Sequence, residues 1–151
     1  MIIKEIAKAQ RSAELVEQLF GLWEASVRAT HDFLSEEDIM RIAQVVRPAI
    51  TEIPTLLTAI DDHDGQICGF LGIGGINIEM LFVAPEAIGR GVGKQLLNTA
   101  IQQHGAQTVD VNEQNPKAKG FYEHRGFVVK SRSEQDDYGN NFPILHMILQ
   151  K

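Results

Sequence analysis

A glycine-rich turn between an apolar strand and an amphipathic helix is the feature that most constrains how this chain can fold. The strand ends at Val83, and beyond Pro85 every second residue is glycine, at Gly89, Gly91 and Gly93, before a helix predicted to begin near Gly91. Glycine has no Cβ, so the backbone can turn sharply and approach a ligand closely. The first turn of a helix also presents unpaired N–H groups and the positive end of its dipole. The segment therefore predicts a diphosphate site.

The spacing of these glycines excludes two common phosphate-binding motifs. A P-loop requires glycine and Ser or Thr where this chain has Ile88 and Gln95. The dinucleotide fingerprint requires a third glycine where the chain has Lys94 or Leu96. The pattern that fits is Arg/Gln-x-x-Gly-x-Gly, which ends at Gly93. We refer to residues 88–94 as the glycine loop.

Length and composition predict one globular domain over residues 1–151. The chain is 44% hydrophobic, enough for a single core but not for a second domain. Its one cysteine, Cys68, excludes an internal disulfide framework and favours a reducing cytoplasm. No stretch resembles a signal peptide or approaches the ~20 apolar residues of a membrane span. We therefore expect a cytoplasmic protein with no membrane partner.

The charge balance indicates which partners to expect. A formal charge of −6 is unfavourable for a general nucleic-acid binder, which carries basic surfaces. It is compatible with a cationic acceptor such as an amine. The five histidines form no metal-ligand cluster in the sequence, so no metal is expected.

Hydrophobic periodicity predicts an α/β domain with a mixed sheet, in the order β-α-α-β-β-β-α-β-α-β-β. Strands are expected at residues 2–7, 56–60, 67–73, 78–83, 108–111, 127–131 and 145–149. Helices are expected at residues 12–27, from 35 onward, at 91–104 and at 116–123. The second helix is expected to stop at Pro48 or soon after, because proline removes a helical hydrogen bond. The strand, helix and strand from 78 to 111 predict a parallel crossover.

A second motif follows the strand that ends near Val111. The chain reads Val-Asn-Glu-Gln-Asn at 111–115, Ala118, and Gly-Phe-Tyr-Glu-His-Arg-Gly-Phe at 120–127. With the glycine loop and the order of elements, this pattern resembles the GNAT superfamily of N-acetyltransferases over the whole chain. Residues 29–34, 112–115 and 132–137 are similar to the YjaB-like acetyltransferases of bacteria. The resemblance implies a GNAT fold, acetyl-coenzyme A as donor, and a protein lysine or small-molecule amine as acceptor.

The resemblance also implies where acetyl-coenzyme A binds. The strand backbone pairs with the pantetheine arm, the loop amides hold the pyrophosphate, and Asn115 contacts pantetheine or orders its loop; a plain helix cap is the alternative for Asn115. The expected cofactor-binding residues are Leu81, Phe82, Val83, Ile88, Gly89, Arg90, Gly91, Val92, Gly93, Lys94 and Asn115. Ile88 stands where the superfamily usually has Arg or Gln, which puts the affinity for acetyl-coenzyme A in question. Arg90 and Lys94 supply positive charge nearby.

The chemistry of amine acetylation suggests two catalytic residues. A lysine-type amine has a pKa near 10.4, so about one molecule in 2,500 is neutral at pH 7. Glu79 is expected to accept the proton, directly or through water, because it lies two residues before Leu81 on one strand face. Tyr122 is expected to protonate the leaving thiolate, as its place in the second motif implies. The alternatives are a solvated strand carboxylate for Glu79 and a core aromatic for Tyr122.

The loop between the first two helices is expected to overhang the acceptor side of the cleft, with Thr30, His31 and Phe33 as acceptor-binding residues. His31 could recognise or deprotonate the amine, or simply bridge the two helices. The predicted protein is an N-acetyltransferase that works by direct attack in a ternary complex. The alternative is a catalytically silent module that binds coenzyme A. Monomer and homodimer both stay open.

Overall fold

This computed structural model describes residues 1–150, which form seven strands and four helices joined by loops. The strands are β1 (Ile2–Glu5), β2 (Thr55–Ile60), β3 (Ile67–Gly74), β4 (Asn77–Val83), β5 (Thr108–Asn112), β6 (Phe127–Ser133) and β7 (Ile144–Leu149). The helices are α1 (Ala13–Thr30), α2 (Glu36–Glu52), α3 (Val92–His104) and α4 (Pro116–His124). The predicted order of elements is confirmed, with two short 3-10 turns added at Lys8–Gln10 and Pro85–Ala87.

All seven strands form one mixed sheet in the order β1-β2-β3-β4-β5-β7-β6. Only β4 and β5 pair in parallel, and α3 makes the crossover between them. The central strands β2 and β3 are buried along most of their length because helices cover both faces of the sheet. One core cluster joins α3 and α4 to the sheet, and the other joins α1 and α2 to its opposite face.

Helix α2 is longer than the sequence predicts. A capping box formed by Ser35 and Asp38 starts it, but the helix continues through Pro48 to Glu52. Proline there removes one hydrogen bond, and the turn that follows carries Ile50, which is fully buried against the sheet. Burial of that side chain outweighs the lost bond, so tertiary packing overrides the local stop signal.

Arg11 holds the carboxyl end of α2. Its Nη1 donates to the carbonyl oxygens of Ile50, Thr51 and Ile53 at 3.1, 3.0 and 2.7 Å, and its Nε donates to Ile6 at 3.2 Å. These are the carbonyls that a helix end leaves without intrahelical donors, and the cation faces the negative end of the dipole. Arg11 is only 8% exposed, so the helix end and its cap are buried together.

Strands β4 and β5 pair over only two positions. Asn77 lies opposite Thr108 and Ile78 opposite Val109, and the two strands then separate although both continue. The register of β4 with β3 shifts at this point: Gly72 faces Met80 and Ile73 faces Ile78, which leaves Glu79 as the extra residue of a β-bulge. A bulge bends its strand and increases the local twist, so it directs β4 away from β5.

No helix within residues 1–150 is long and apolar enough to cross a membrane.

Replacing Arg11 by Met should lower the free energy of unfolding by about 2–4 kcal/mol, because several buried carbonyls lose a charged donor. Urea denaturation at pH 7 measures the change. The matched control is Arg41→Met, which removes an exposed ion pair to Asp38 within α2 and should cost less than about 1 kcal/mol. Equal effects of the two substitutions would mean that Arg11 does not stabilise the end of α2.

Candidate active site

The separation of β4 and β5 opens a cavity of about 140 Å³, which we call the interstrand cavity. Between its walls the β4 edge beyond Ile78 has no partner on β5, so the backbone of 81–83 is open to an extended ligand. The cavity is lined by His31, Ile78, Glu79, Met80, Leu81, Phe82, Val109, Asp110, Val111, Asn112, Asn115, Ala118 and Tyr122.

Tyr122 projects from α4 into this cavity. It is 6% exposed and packs edge-on between Phe121 and Phe127, with ring centroids 5.1 and 5.5 Å away. Burial raises the pKa of the Tyr122 phenol, because the ionised form would lose its hydration. The side chain is therefore both a core aromatic and a phenol that stays protonated beside the cavity, so the two interpretations of it are compatible.

Asn115 and His31 are joined in a chain of hydrogen bonds. Asn115 caps α4 by accepting from the Ala118 amide at 3.2 Å, and its Nδ2 lies 3.5 Å from His31 Nε2. His31 Nδ1 lies 2.8 Å from Thr30 Oγ1, which donates to the Ser26 carbonyl at 2.7 Å. Because the Thr30 hydroxyl uses its proton on Ser26, His31 Nδ1 carries a hydrogen and Nε2 accepts from Asn115. Burial lowers the pKa of His31, which favours this neutral form.

Glu79 occupies the bulge on β4. The bulge breaks the simple alternation that the sequence implied for Glu79 and Leu81: both line the interstrand cavity, but Glu79 also lies beside Gly74, on the side of α2. There it lines a neighbouring cavity of about 460 Å³ together with Glu52, Trp23 and other side chains of α1, α2 and β4. Glu79 is therefore shared by the two cavities, and its carboxylate lies on the side of Gly74.

The glycine loop lines a third space, the loop cavity, of about 390 Å³. Gly89 and Gly91 adopt left-handed backbone angles, with φ of +86° and +82°, which only glycine adopts without strain. The amides of residues 92–94 lie in the first turn of α3 and have no intrahelical acceptor. The cavity is lined by Val83, Ala87, Ile88, Gly89, Gly91, Val92, Gly93, Lys94, Phe121 and Arg125.

The side chains of two arginines near the glycine loop are placed differently from what the sequence suggested. Arg90 is not among the residues that line the loop cavity: its amide donates to Ala87, and its guanidinium lies 3.1 Å from Asp61 on the other side of the loop. Arg125, which sequence analysis passed over, lines the cavity, and its buried Nε has no hydrogen-bond partner among the described residues. Its place at the end of the second motif was the available signal.

The three residues expected to bind the acceptor do not all lie at the interstrand cavity. Of Thr30, His31 and Phe33, only His31 lines the interstrand cavity. The Phe33 ring lies between His31 and Phe142, with centroids 5.4 and 6.0 Å away, and so joins this loop to the one between β6 and β7. Within residues 1–150 no cluster of three or more potential metal ligands occurs.

The donor groups of the loop cavity suit a diphosphate. Residues in the first turn of a helix with amides that lack intrahelical acceptors, together with the cationic side chains of Lys94 and Arg125, all border one space. This space meets the interstrand cavity at the end of β4, where consecutive residues divide between them: Phe82 and Tyr122 line one cavity, Val83 and Phe121 the other. A ligand with a diphosphate and an extended arm would fit both.

Known proteins with similar sequences and structures indicate which ligand the two cavities bind. A family model described as an acetyltransferase (GNAT) domain matches residues 32–151. The peptidyl-lysine N-acetyltransferase YjaB of Salmonella typhimurium is 40% identical over 132 residues, which cover 87% of this chain and 90% of that protein. The solution structure of apo YjaB from Escherichia coli superposes with a TM-score of 0.82 at 38% identity, over 98% of this chain and 97% of that one.

This chain belongs to the GNAT acetyltransferase family.

Membership confirms the predicted GNAT fold and identifies the protein as an acyltransferase. A PaiA N-acetyltransferase from Thermoplasma acidophilum, solved in complex with coenzyme A, shares the fold, with a TM-score of 0.70 at 24% identity over 97% of this chain and 98% of that one. GNAT enzymes use acetyl-coenzyme A, and the donor groups of the loop cavity fit its diphosphate. The individual cofactor-binding residues stay a prediction.

Arg125 should contribute directly to coenzyme A affinity in this GNAT enzyme. Arg125→Met should raise the Kd for coenzyme A about tenfold or more, because a charged donor to the diphosphate is lost. Calorimetric titration measures the change, and Arg90→Met is the control that should stay within about twofold of the parent. Pantetheine lacks the diphosphate and should bind parent and Arg125→Met alike. Weakened pantetheine binding would instead indicate a distorted α4.

Proposed function

We propose that the protein transfers the acetyl group of acetyl-coenzyme A to a primary amine, most naturally the side chain of a protein lysine, by direct attack in a ternary complex. The observation that carries this proposal is the meeting of Tyr122, Glu79 and the open β4 backbone in one cavity, next to the loop cavity. The preference for lysine is supported by the relatives, whose names describe peptidyl-lysine N-acetyltransferases.

In this proposal the donor lies along β4. The amides of the glycine loop and Arg125 hold the diphosphate, and the β4 edge at Leu81 to Val83 pairs with the pantetheine arm. The thioester supplies the acetyl group, and a backbone N–H near Val83 stabilises the oxyanion that forms on attack.

Glu79 and Tyr122 handle the proton transfers. Glu79, exposed at the bulge, accepts a proton from the ammonium form of the acceptor, directly or through water, so that the amine becomes nucleophilic. Tyr122, whose phenol is neutral because it is buried, gives a proton to the departing thiolate as the carbon–sulfur bond breaks, and regains one from the nitrogen, which loses its second proton as the amide forms. His31, also neutral, holds Asn115 and thereby the first turn of the helix that carries Tyr122.

Tyr122→Phe should lower kcat by about 10²–10⁴-fold, the usual contribution of a general acid, and leave the Kd for acetyl-coenzyme A nearly unchanged. Release of free thiol over a panel of amines and lysine peptides measures kcat. Because burial raises the pKa of Tyr122 above the ordinary value of about 10, the acid form persists as the pH rises. The parent should therefore show no loss of kcat from tyrosine ionisation up to about pH 10.

The outcome separates the enzyme from a silent binding module. An unchanged kcat in Tyr122→Phe removes this residue from the mechanism. Absence of turnover by the parent on every acceptor, with coenzyme A still tightly bound, would favour a sensor or interaction module instead.

Glu79→Gln should lower kcat by about 10²-fold or more at pH 7 if its carboxylate accepts the amine proton. The loss should shrink as the pH approaches the pKa of the acceptor, near 10.4 for lysine, because more of the acceptor then arrives neutral. The matched control is Glu52→Gln, a carboxylate that lines the neighbouring cavity but not the interstrand cavity. A loss that is the same at every pH, or is shared by the control, would contradict this role.

A further inference from the structure

Three polar side chains form a hydrogen-bonded chain across β5, β7 and β6. His146 Nδ1 lies 2.7 Å from Asp110 Oδ1, and His146 Nε2 lies 2.7 Å from Ser133 Oγ. An ionised carboxylate only accepts, so His146 Nδ1 donates to Asp110, while the other ring nitrogen is hydrogen-bonded to the Ser133 hydroxyl. Each partner fixes the next, and none of the three belongs to the two family motifs.

Asp110 is the one member of this chain that lines the interstrand cavity. The bond from His146 occupies Oδ1 and leaves Oδ2 for another donor. Its side chain is 37% exposed, so a ligand in the cavity can reach it. Asp110 on β5 and Glu79 on β4 therefore border the same space from the two strands that separate around it.

The charge of this cavity favours a cation. Two acidic residues, Glu79 and Asp110, line it, whereas none of its lining residues is Lys or Arg, and burial lowers the pKa of its one histidine, His31. An ammonium group that enters this cavity therefore meets two acidic residues and no competing Lys or Arg. The loop cavity has the reverse character, with Lys94 and Arg125 in its lining.

We propose that Asp110, held in place by His146 and Ser133, is the residue that recognises the ammonium form of the acceptor. This assignment rests on the proposed transfer to an amine and adds the group that selects for it. Asp110 binds the cation through Oδ2, and Glu79 takes the proton once the amine is in position. His146 and Ser133 act as positioning residues, because they reach the acceptor only through Asp110.

The two carboxylates differ in a way that fits this division. The orientation of Asp110 is fixed by a 2.7 Å bond to a ring that is itself bonded to Ser133. A carboxylate held in place loses little conformational freedom on binding, which favours recognition. Glu79 lies exposed at a bulge, where it can exchange its proton with water after each turnover.

The test is calorimetric titration of a lysine-containing peptide into the protein saturated with coenzyme A, which forms the ternary complex without reaction. Asp110→Asn should raise the Kd for this peptide about tenfold or more, the loss expected for a charge-assisted hydrogen bond. The Kd for coenzyme A should change less than about twofold. The same peptide with norleucine in place of lysine has no charge, so the parent and Asp110→Asn should bind it equally.

Variants of His146 test whether it positions Asp110 or whether any substitution in this part of the sheet disturbs the site. His146→Asn keeps an N–H near Nδ1 and should retain most of the lysine preference, whereas His146→Leu should lose much of it. Ser131→Ala is the control, since Ser131 lies opposite His146 in the strand register but outside the hydrogen-bonded chain. An unchanged Kd for the lysine peptide in Asp110→Asn, or an equal loss with the norleucine peptide, overturns the recognition role.

Thiol release by the parent on the same lysine peptide keeps the two proposals distinct. Turnover with no effect of Asp110→Asn on binding overturns only the role of Asp110. Binding that depends on Asp110 without turnover overturns only the proposed reaction and leaves ammonium recognition established.

Discussion

The site depends on how briefly β4 and β5 pair. Two residue pairs hold the strands in parallel, and the bulge at Glu79 then directs β4 away. If the pairing of β4 with β5 continued, the β4 backbone toward residues 81–83 would form hydrogen bonds with β5, and the interstrand cavity would close. Because β4 and β5 are parallel, the helices that follow them, α3 and α4, begin at the same edge of the sheet. There the first turn of α3 lines the loop cavity, and α4 carries Tyr122 to the interstrand cavity.

The fold was largely predictable because its signals are local. Apolar periodicity, the glycine turns and the cap residues predicted every strand and helix in order. The continuation of α2 past Pro48 was not predictable, because it depends on Ile50 packing against the sheet and on Arg11, far away in sequence, binding the helix end. The bulge at Glu79 was also missed, since one extra residue in a register leaves no mark on a pattern of alternating side chains.

The site was predictable only as far as its motifs extend. Motif position brought Tyr122, Asn115 and the glycine loop to notice, and all of them line or border the two cavities. Side-chain direction is set by neighbours that a motif does not include: Arg90 is drawn to Asp61, while Arg125 at the end of α4 is left with a buried Nε beside the loop. The Asp110 chain combines three strands and has no sequence signature at all.

The acceptor loop and α4 are coupled through the direction of their hydrogen bonds. The Thr30 hydroxyl donates its proton to the Ser26 carbonyl, so His31 donates to Thr30 from Nδ1 and accepts at Nε2. Asn115 therefore directs its amide N–H at the His31 ring, and its amide oxygen accepts from Ala118. A proton on Nε2 would turn that acceptor into a donor and oppose the Asn115 amide. Loss of a neutral His31 would therefore loosen the cap of α4, the helix that carries Tyr122, so the burial that keeps His31 neutral also helps to keep the site assembled.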